Sequence, residues 1–234
     1  MDEFIDAELD LDEDGVAAER GPAAAAEIID DLDLRVLLRQ NRIALAKGPV
    51  TRIPAPEQGG TAYDIPLSTV VHAHPRCAIQ WSRLLIDLSP TAGARISDMS
   101  PREVADDRPV ELTTTVGVGL KFEVLAKVLS AEVKPEISRK STVYFPQIVS
   151  SGPGFARGYW DFLAAQGRYL HVDRQLRMLV TAPADLPLTA RLTFRAQVTV
   201  RGIARAIPLI ARGKEIDKVH TLAPAELNPA AGAP

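Results

Sequence analysis

The chain has 234 residues, of which 46% are hydrophobic, 24% are charged and 5% are aromatic, as in an ordinary globular protein. No run of about 18 apolar residues is present, which excludes a membrane-spanning helix, and the opening Met1-Asp2-Glu3 lacks the basic start of a secretory signal. Cys77 has no second cysteine to pair with. The sequence therefore predicts a protein of the reducing cytoplasm without disulfide bonds.

The net charge of −3 is divided unevenly along the chain. Residues 1–34 hold 13 acidic side chains and one basic one, a net charge of −12, whereas the remaining residues carry +9. Such an acidic opening is typical of a solvated, largely disordered arm. Ile5, Leu9 and Leu11 interleave with the acids, however, so a second interpretation stays open, in which the arm lies on the basic body or on a basic partner.

A first folded element is predicted over residues 24–41. Apolar residues recur there three to four positions apart, which is typical of an amphipathic helix. The alternation of Leu34, Val36 and Leu38 fits a strand equally well, so both interpretations remain open. Glycines and prolines between residues 48 and 60 then predict an irregular connector.

From this connector to about residue 212, apolar residues mostly alternate with polar ones, as in antiparallel strands with one face toward water. Residues 78–88 have mixed faces, which predicts a central strand. Residues 110–124 would span roughly 50 Å if fully extended, longer than a usual strand, so Gly117 and Gly119 are predicted to mark a bend or bulge. Residues 125–133 are the expected return strand.

The cleanest alternation covers residues 188–201, where an uninterrupted apolar face opposes an uninterrupted polar one. This strand is predicted to pair with residues 175–181 across the turn between them. Further strands are expected at 141–149 and 206–211.

These patterns predict an all-β fold, an antiparallel sandwich or open barrel, preceded by an N-terminal helix or arm with a disordered acidic N-terminus. The expected organisation is an acidic, largely disordered arm at 1–34, a single β-rich domain at 35–220 and a disordered tail at 221–234. A domain of that size buries enough surface to be stable alone.

His72, His74 and Cys77 form the one pattern that resembles a metal site. Residues two apart share a strand face, so the two imidazoles could reach one ion. A zinc site needs three or four ligands, and Pro75 places the histidines at a strand end where solvated imidazoles are common. The prediction is therefore no metal and no cofactor, with these three residues as weak candidates, and Cys77 is expected to be an inert thiol.

Catalytic motifs are absent from the sequence. It contains no phosphate-binding loop, no nucleophile elbow, no His-Glu-x-x-His and no dinucleotide fingerprint. The sequence thus favours a non-enzymatic protein, while an enzyme without a recognisable motif remains an alternative.

A row of arginines is the surface on which the sequence supports a functional hypothesis. Arg191, Arg195 and Arg201 share one parity of the 188–201 strand, and the arginine fork suits carboxylate or phosphate groups. The polar side of that strand has no aromatic residue for base stacking, which disfavours nucleic acid. The predicted function is a protein-interaction or scaffold module that binds a protein partner, or a second copy, by charge complementarity and is regulated by its acidic arm.

A third interpretation rests on the amphipathic stretch at 110–133. Pore-forming proteins carry such stretches, and a membrane-crossing strand needs about 9 to 11 residues with apolar lipid-facing positions. The same alternation occurs in any half-buried strand of a soluble sheet. A pore-forming β protein is therefore kept as an alternative function.

Overall fold

The computed structural model describes residues 4–21, 26, 28, 31–54, 60–104, 109–115, 119–123, 138–144, 147–164, 174–203 and 206–225. This part of the chain is nearly all β structure with two short helices. In chain order the elements are β1 (Phe4–Leu11), α1 (Glu13–Arg20), α2 (Leu32–Leu38), β2 (Arg42–Lys47), β3 (Thr51–Pro54), β4 (Gly60–His72), β5 (Cys77–Asp87), β6 (Arg95–Ser100), β7 (Glu103–Val104), β8 (Pro109–Thr115), β9 (Gly119–Glu123), β10 (Ser138–Tyr144), β11 (Gln147–Ser151), β12 (Arg157–Leu163), β13 (Arg174–Pro183), β14 (Leu188–Val200), β15 (Ala206–Arg212) and β16 (Val219–Ala223).

Thirteen of these strands form one large antiparallel sheet. Its main path runs β6-β13-β4-β2-β1-β15-β14-β5-β12-β11-β7, with β3 added beside β4 and β16 beside β14. The other three strands form a separate small sheet in the order β10-β8-β9. Neither described helix has the length and apolar character needed to cross a membrane.

The large sheet curls until its two ends nearly meet. The Ile96 N–H of β6 donates to the Phe155 carbonyl at 2.9 Å, and the Gly154 N–H donates back to Ile96 at 2.7 Å. Glycine is required next to this approach at Gly152, because its φ is +146° and a Cβ there would lie 2.4 Å from the Gly158 Cα. The predicted all-β antiparallel sandwich or open barrel is confirmed.

Strand β14 shows how the sequence builds the core. Its alternate side chains enclose the interior and the others stay half-buried or exposed, so one strand supplies both a core face and a solvent face. The buried positions are Leu188, Ala190, Leu192, Phe194, Ala196, Val198 and Val200. Residues 77–87 (β5) occupy the predicted central position, beside β14 and β12.

The expectation of a disordered acidic segment is wrong for residues 4–20. Strand β1 lies inside the large sheet between β2 and β15, with Ile5 and Leu9 buried in the core. The acids occupy the alternate positions, and Arg42 Nη2 lies 3.0 Å from Asp6 Oδ2. A net charge summed over the segment hides this alternation, in which the apolar side chains enter the core and the carboxylates stay on the opposite side of the strand.

The predicted pairing of the 188–201 strand with residues 175–181 is also wrong. Strand β13 pairs with β4 and β6, whereas β14 pairs with β5, β15 and β16. Residues 184–187 therefore carry the chain from one part of the sheet to another. Alternation identifies which face of a strand is buried but contains no information about its neighbours.

The run at 110–124 reverses direction between Thr115 and Gly119. Thr115 lies opposite Gly119, so β8 and β9 form an antiparallel pair rather than one bent strand. The expected return strand at 125–133 lies outside the described residues. The predicted strand at 141–149 is divided between β10 of the small sheet and β11 of the large one.

At the flanks, the predicted helix at 24–41 appears as α2, with Leu34, Leu37 and Leu38 buried and the earlier residues mostly outside the described ranges. The tail expected from residue 221 is wrong for residues 221–223, which belong to β16, while 226–234 lie outside the description. The domain boundaries at 34 and 220 stay predictions, although both flanks add strands to the large sheet.

Candidate interaction face on strands β12, β5 and β14

The outward sides of β12, β5 and β14 form one continuous surface, called here the arginine face. The strand register aligns its side chains in four rows of three. The rows are Arg157, Asp87 and Arg191; Tyr159, Leu85 and Thr193; Asp161, Arg83 and Arg195; and Leu163, Trp81 and Gln197.

Arg83 is the most firmly held residue of this face. Its Nε and Nη2 each donate to an Asp161 carboxylate oxygen at 2.7 Å. The guanidinium carbon lies 3.9 Å from the centre of the Tyr159 ring and 5.4 Å from that of Trp81. The hydrogen bond with Asp161 raises the pKa of Arg83, and the two rings fix its plane. Arg83 is thus pre-organised rather than available as a free cation.

The first row places one carboxylate between two arginines. Asp87 accepts from Arg157 Nε at 3.0 Å and from the Ser89 N–H at 2.9 Å. Burial opposes ionisation of Asp87, but these hydrogen bonds outweigh it, and its pKa lies below the ordinary value. Arg191 lies on the other side of Asp87 in the register and is exposed. Among the described residues, Arg191 has no carboxylate partner.

The segment around α1 covers the remaining part of β14. Asp12 Oδ2 lies 3.6 Å from Arg195 Nε, and Gln197 Nε2 donates to Glu19 Oε1 at 3.3 Å. The open interpretation in which the acidic segment lies on the basic body agrees with these contacts.

Of the three arginines singled out in the sequence, the structure brings two onto the same face. Arg191 and Arg195 are both exposed on the outward side of β14. Arg201 lies beyond the end of the strand in a turn, where its backbone N–H donates to the Arg76 carbonyl at 2.8 Å. The parity of Arg201 does not place it on the face, because the strand ends before it.

His72, His74 and Cys77 surround the turn between β4 and β5, which Asn41 organises. Asn41 is fully buried, its Oδ1 accepts from the His74 N–H at 2.9 Å, and its Nδ2 donates to the Leu38 carbonyl at 2.8 Å. Burial raises the pKa of the Cys77 thiol, which disfavours the nucleophilic thiolate. Within the described ranges, no three His, Cys, Asp or Glu side chains are grouped closely enough to hold a metal ion.

Sequence reasoning missed Arg83, Asp161 and Asp12 as members of the face. Arg83 and Asp161 are 78 positions apart and meet because β5 pairs with β12. No local pattern reports such a pairing. The aromatic residue Tyr159 could be noticed in the sequence, but its stacking partner could not.

Comparisons with known proteins give weak likenesses. No family model matches the chain, and no curated protein matches it. Among solved structures, the delta-toxin of Clostridium perfringens has a TM-score of 0.38 at 9% identity, covering 68% of this chain and 74% of the toxin. The NetB toxin of the same organism in its membrane-inserted form has a TM-score of 0.36 at 9% identity, covering 90% of this chain and 92% of the toxin. Such values are too low to transfer a function.

Proposed function

We propose that this chain is a pore-forming β protein whose inserting segment lies between β7 and β11. These two strands are direct antiparallel neighbours in the large sheet, with Val104 opposite Ile148. Neighbouring strands are usually joined by two to five residues. Here the intervening residues 105–146 form an excursion that contains the small sheet β10-β8-β9.

The register of the small sheet supports a long hairpin. Strands β8 and β10 are aligned with Pro109 opposite Tyr144 and Thr115 opposite Ser138. Continued along the chain, that register would close near residues 126–127. Strand β9 is instead folded back on β8, with Thr115 opposite Gly119. Detaching β9 from β8 would let residues 109–126 run as one strand, which accounts for the continuous alternation of residues 116–124.

The sequence beyond β8 and β10 fits this extended register on both faces. In this register residues 116–124 would pair with residues 129–137, nine residues in each strand. Every position on one face of the pair would be apolar, and every position on the other face would be polar or glycine. The apolar set is Val116, Val118, Leu120, Phe122, Val124, Leu129, Ala131, Val133, Pro135 and Ile137, and the other set is Gly117, Gly119, Lys121, Glu123, Ser130, Glu132, Lys134 and Glu136. Nine residues is close to the roughly 9 to 11 that a membrane-crossing strand needs, and this agreement is the observation that carries the proposal.

Paired disulfide locks test the proposal in a Cys77→Ser background. Thr113 lies opposite Lys121 in β9 and opposite Lys140 in β10, so Thr113→Cys can be joined to either strand. The Thr113→Cys, Lys121→Cys lock holds β9 on β8 and should abolish dye release from phosphatidylcholine–phosphatidylglycerol vesicles until a reductant is added. The Thr113→Cys, Lys140→Cys lock preserves a pairing that the extended hairpin retains, and it should leave release intact.

Two results would overturn this function. One is the absence of dye release by the unlocked protein above the level of untreated vesicles. The other is equal release by the two oxidised locks, because the refolding of β9 would then play no part. Gel analysis under non-reducing conditions confirms that each lock has formed.

The second candidate function is a protein-interaction module that uses the arginine face. Trp, Tyr and Arg are enriched where protein interfaces concentrate their binding energy, and Arg83 is held rigidly between Trp81 and Tyr159. Arg191 and Arg195 add exposed positive charge beside them. The partner proposed is a protein or a second copy of the chain, and a cytoplasmic location stays a prediction.

Charge reversal tests this second function. Arg191→Glu combined with Arg195→Glu should weaken association with a purified partner, or self-association in sedimentation. The free energy of unfolding should change by only about 1 kcal/mol, because the variant loses the surface ion pair between Arg195 and Asp12. Arg102→Glu combined with Lys214→Glu is the matched control, since both residues are exposed elsewhere. Equal association of the two double variants would exclude the arginine face as the interface.

A further inference from the structure

Helix α1 lies on the arginine face as a short acidic segment of the same chain. The Asp12 N–H donates to the Pro208 carbonyl of β15 at 3.0 Å, which anchors the start of the helix beside β14. Asp12 then reaches Arg195, and Glu19 reaches Gln197, one contact at each end of α1. The face therefore already binds one acidic polypeptide segment.

Several weak contacts hold α1 in place. Val16 is its one fully buried side chain within the described residues, and Glu13 lies 3.5 Å from Arg35 in a largely exposed ion pair. Exposed pairs of this kind stabilise a protein little, and a helix of eight residues is marginal without packing. The attachment of α1 thus depends mainly on Val16.

The occupied part of the face continues into an unoccupied part with the same charge. Arg191 lies four residues before Arg195 on the same side of β14, is exposed, and has no carboxylate partner among the described residues. An acidic segment longer than α1 could engage both arginines. Charge complementarity therefore favours a carboxylate-rich polypeptide over α1 itself.

We infer that α1 is a built-in, displaceable occupant of the arginine face and that the partner is a protein with an acidic segment that takes its place. This inference rests on the second candidate function and names its partner class and its regulation. Displacement requires α1 to detach while β1 stays in the sheet. The partner's carboxylates then meet Arg195 and Arg191.

A labelled peptide with the sequence of residues 10–21 is the probe, and fluorescence anisotropy on the full chain is the measurement. Val16→Ser loosens α1 without changing its charge, and Ala18→Ser introduces the same residue at an exposed position of the same helix. Apparent affinity scales with the fraction of molecules whose face is open, so Val16→Ser should bind the peptide about tenfold tighter than Ala18→Ser or the unaltered chain. Adding Arg195→Glu to Val16→Ser should abolish that binding.

The outcomes separate the two hypotheses. Equal dissociation constants for Val16→Ser and Ala18→Ser, or binding that survives Arg195→Glu, would overturn the role of α1 even if the Arg191→Glu, Arg195→Glu reversal weakens partner association. If that reversal changes no association, the interaction function itself fails.

Hydrogen exchange of the unaltered chain is the second measurement. Saturating peptide should increase exchange in α1 and leave β1 protected. Unchanged exchange in α1 would contradict displacement.

Discussion

Arg83 and Asp161 bind each other across strands β5 and β12 through two hydrogen bonds of 2.7 Å. The Asp161 side chain is 15% exposed, whereas that of Arg83 is 36% exposed, so the carboxylate is the more deeply placed partner. Because the guanidinium also stacks on Tyr159, this pair joins two central strands and fixes the middle of the arginine face.

Replacing Asp161 with Asn should lower the free energy of unfolding by about 1.5–3 kcal/mol, the usual contribution of hydrogen bonds to charged groups. Urea denaturation measures the loss. The control is Asp98→Asn, which disrupts the exposed Arg102–Asp98 pair at 2.8 Å and should cost no more than about 1 kcal/mol. Equal losses in the two variants would mean that the cross-strand position adds no stability.

The buried side of β1 provides a second prediction. Leu9 is fully buried, so Leu9→Ala should lower the free energy of unfolding by about 2–5 kcal/mol. Glu8→Ala, at the neighbouring exposed position, should cost about 1 kcal/mol or less, because its ion pair with Arg42 is exposed. A protease that cleaves after glutamate should leave Glu8 intact in the folded protein. Rapid cleavage there without unfolding would restore the interpretation as a mobile arm.

The two outcomes for the 188–201 strand show where sequence reasoning succeeds and fails. Its buried and exposed faces were predictable because side chains alternate with a period of two. Its partner β15 is the next strand along the chain, but its other main partner, β5, was not predictable, because β5 comes from a distant part of the chain that no local pattern connects to it.

The candidate site shows the same division. Alternation along β14 is enough to place Arg191 and Arg195 on one side, whereas their surroundings come from distant parts of the chain. Asp12 reaches Arg195 only because β1 is a sheet strand, and the charge of residues 1–34 concealed that strand. Arg201 was misplaced because parity does not report where a strand ends.

Asn41 provides the third prediction, at the turn that holds His74 and Cys77. Asn41→Ala removes the acceptor of the His74 N–H, and leaving such a group unsatisfied costs about 1–3 kcal/mol. The Leu38 carbonyl loses the side-chain donor but still accepts from the Asn41 backbone N–H at 3.1 Å. The free energy of unfolding should fall by about 1–3 kcal/mol.

A chelator tests separately for a metal at the same turn. It should leave the melting temperature unchanged, because removing a structural metal would lower that temperature. A melting temperature lowered by the chelator would identify a metal site here.

The last prediction concerns acid stability and follows from Asp64. Arg177 donates hydrogen bonds to both carboxylate oxygens of Asp64, and these bonds hold the pKa of Asp64 below its ordinary value of 3.8. The folded state therefore releases its proton at lower pH than the unfolded state does. Between the two pKa values the unfolded state binds more protons, so stability rises with pH.

The stabilisation from Asp64 should be fully present above 3.8 and lost as the pH falls through the pKa of the folded state. Asp64→Asn and Arg177→Met should each reduce the slope of unfolding free energy against pH below about pH 4, because each removes the cause of the shift. The double variant should show no further reduction, since both changes act on one pair. Urea denaturation between about pH 2.5 and 6 measures the three slopes. If the unfolding free energy of Asp64→Asn changes with pH as steeply as that of the unaltered chain, Asp64 has the same pKa in the folded and unfolded states.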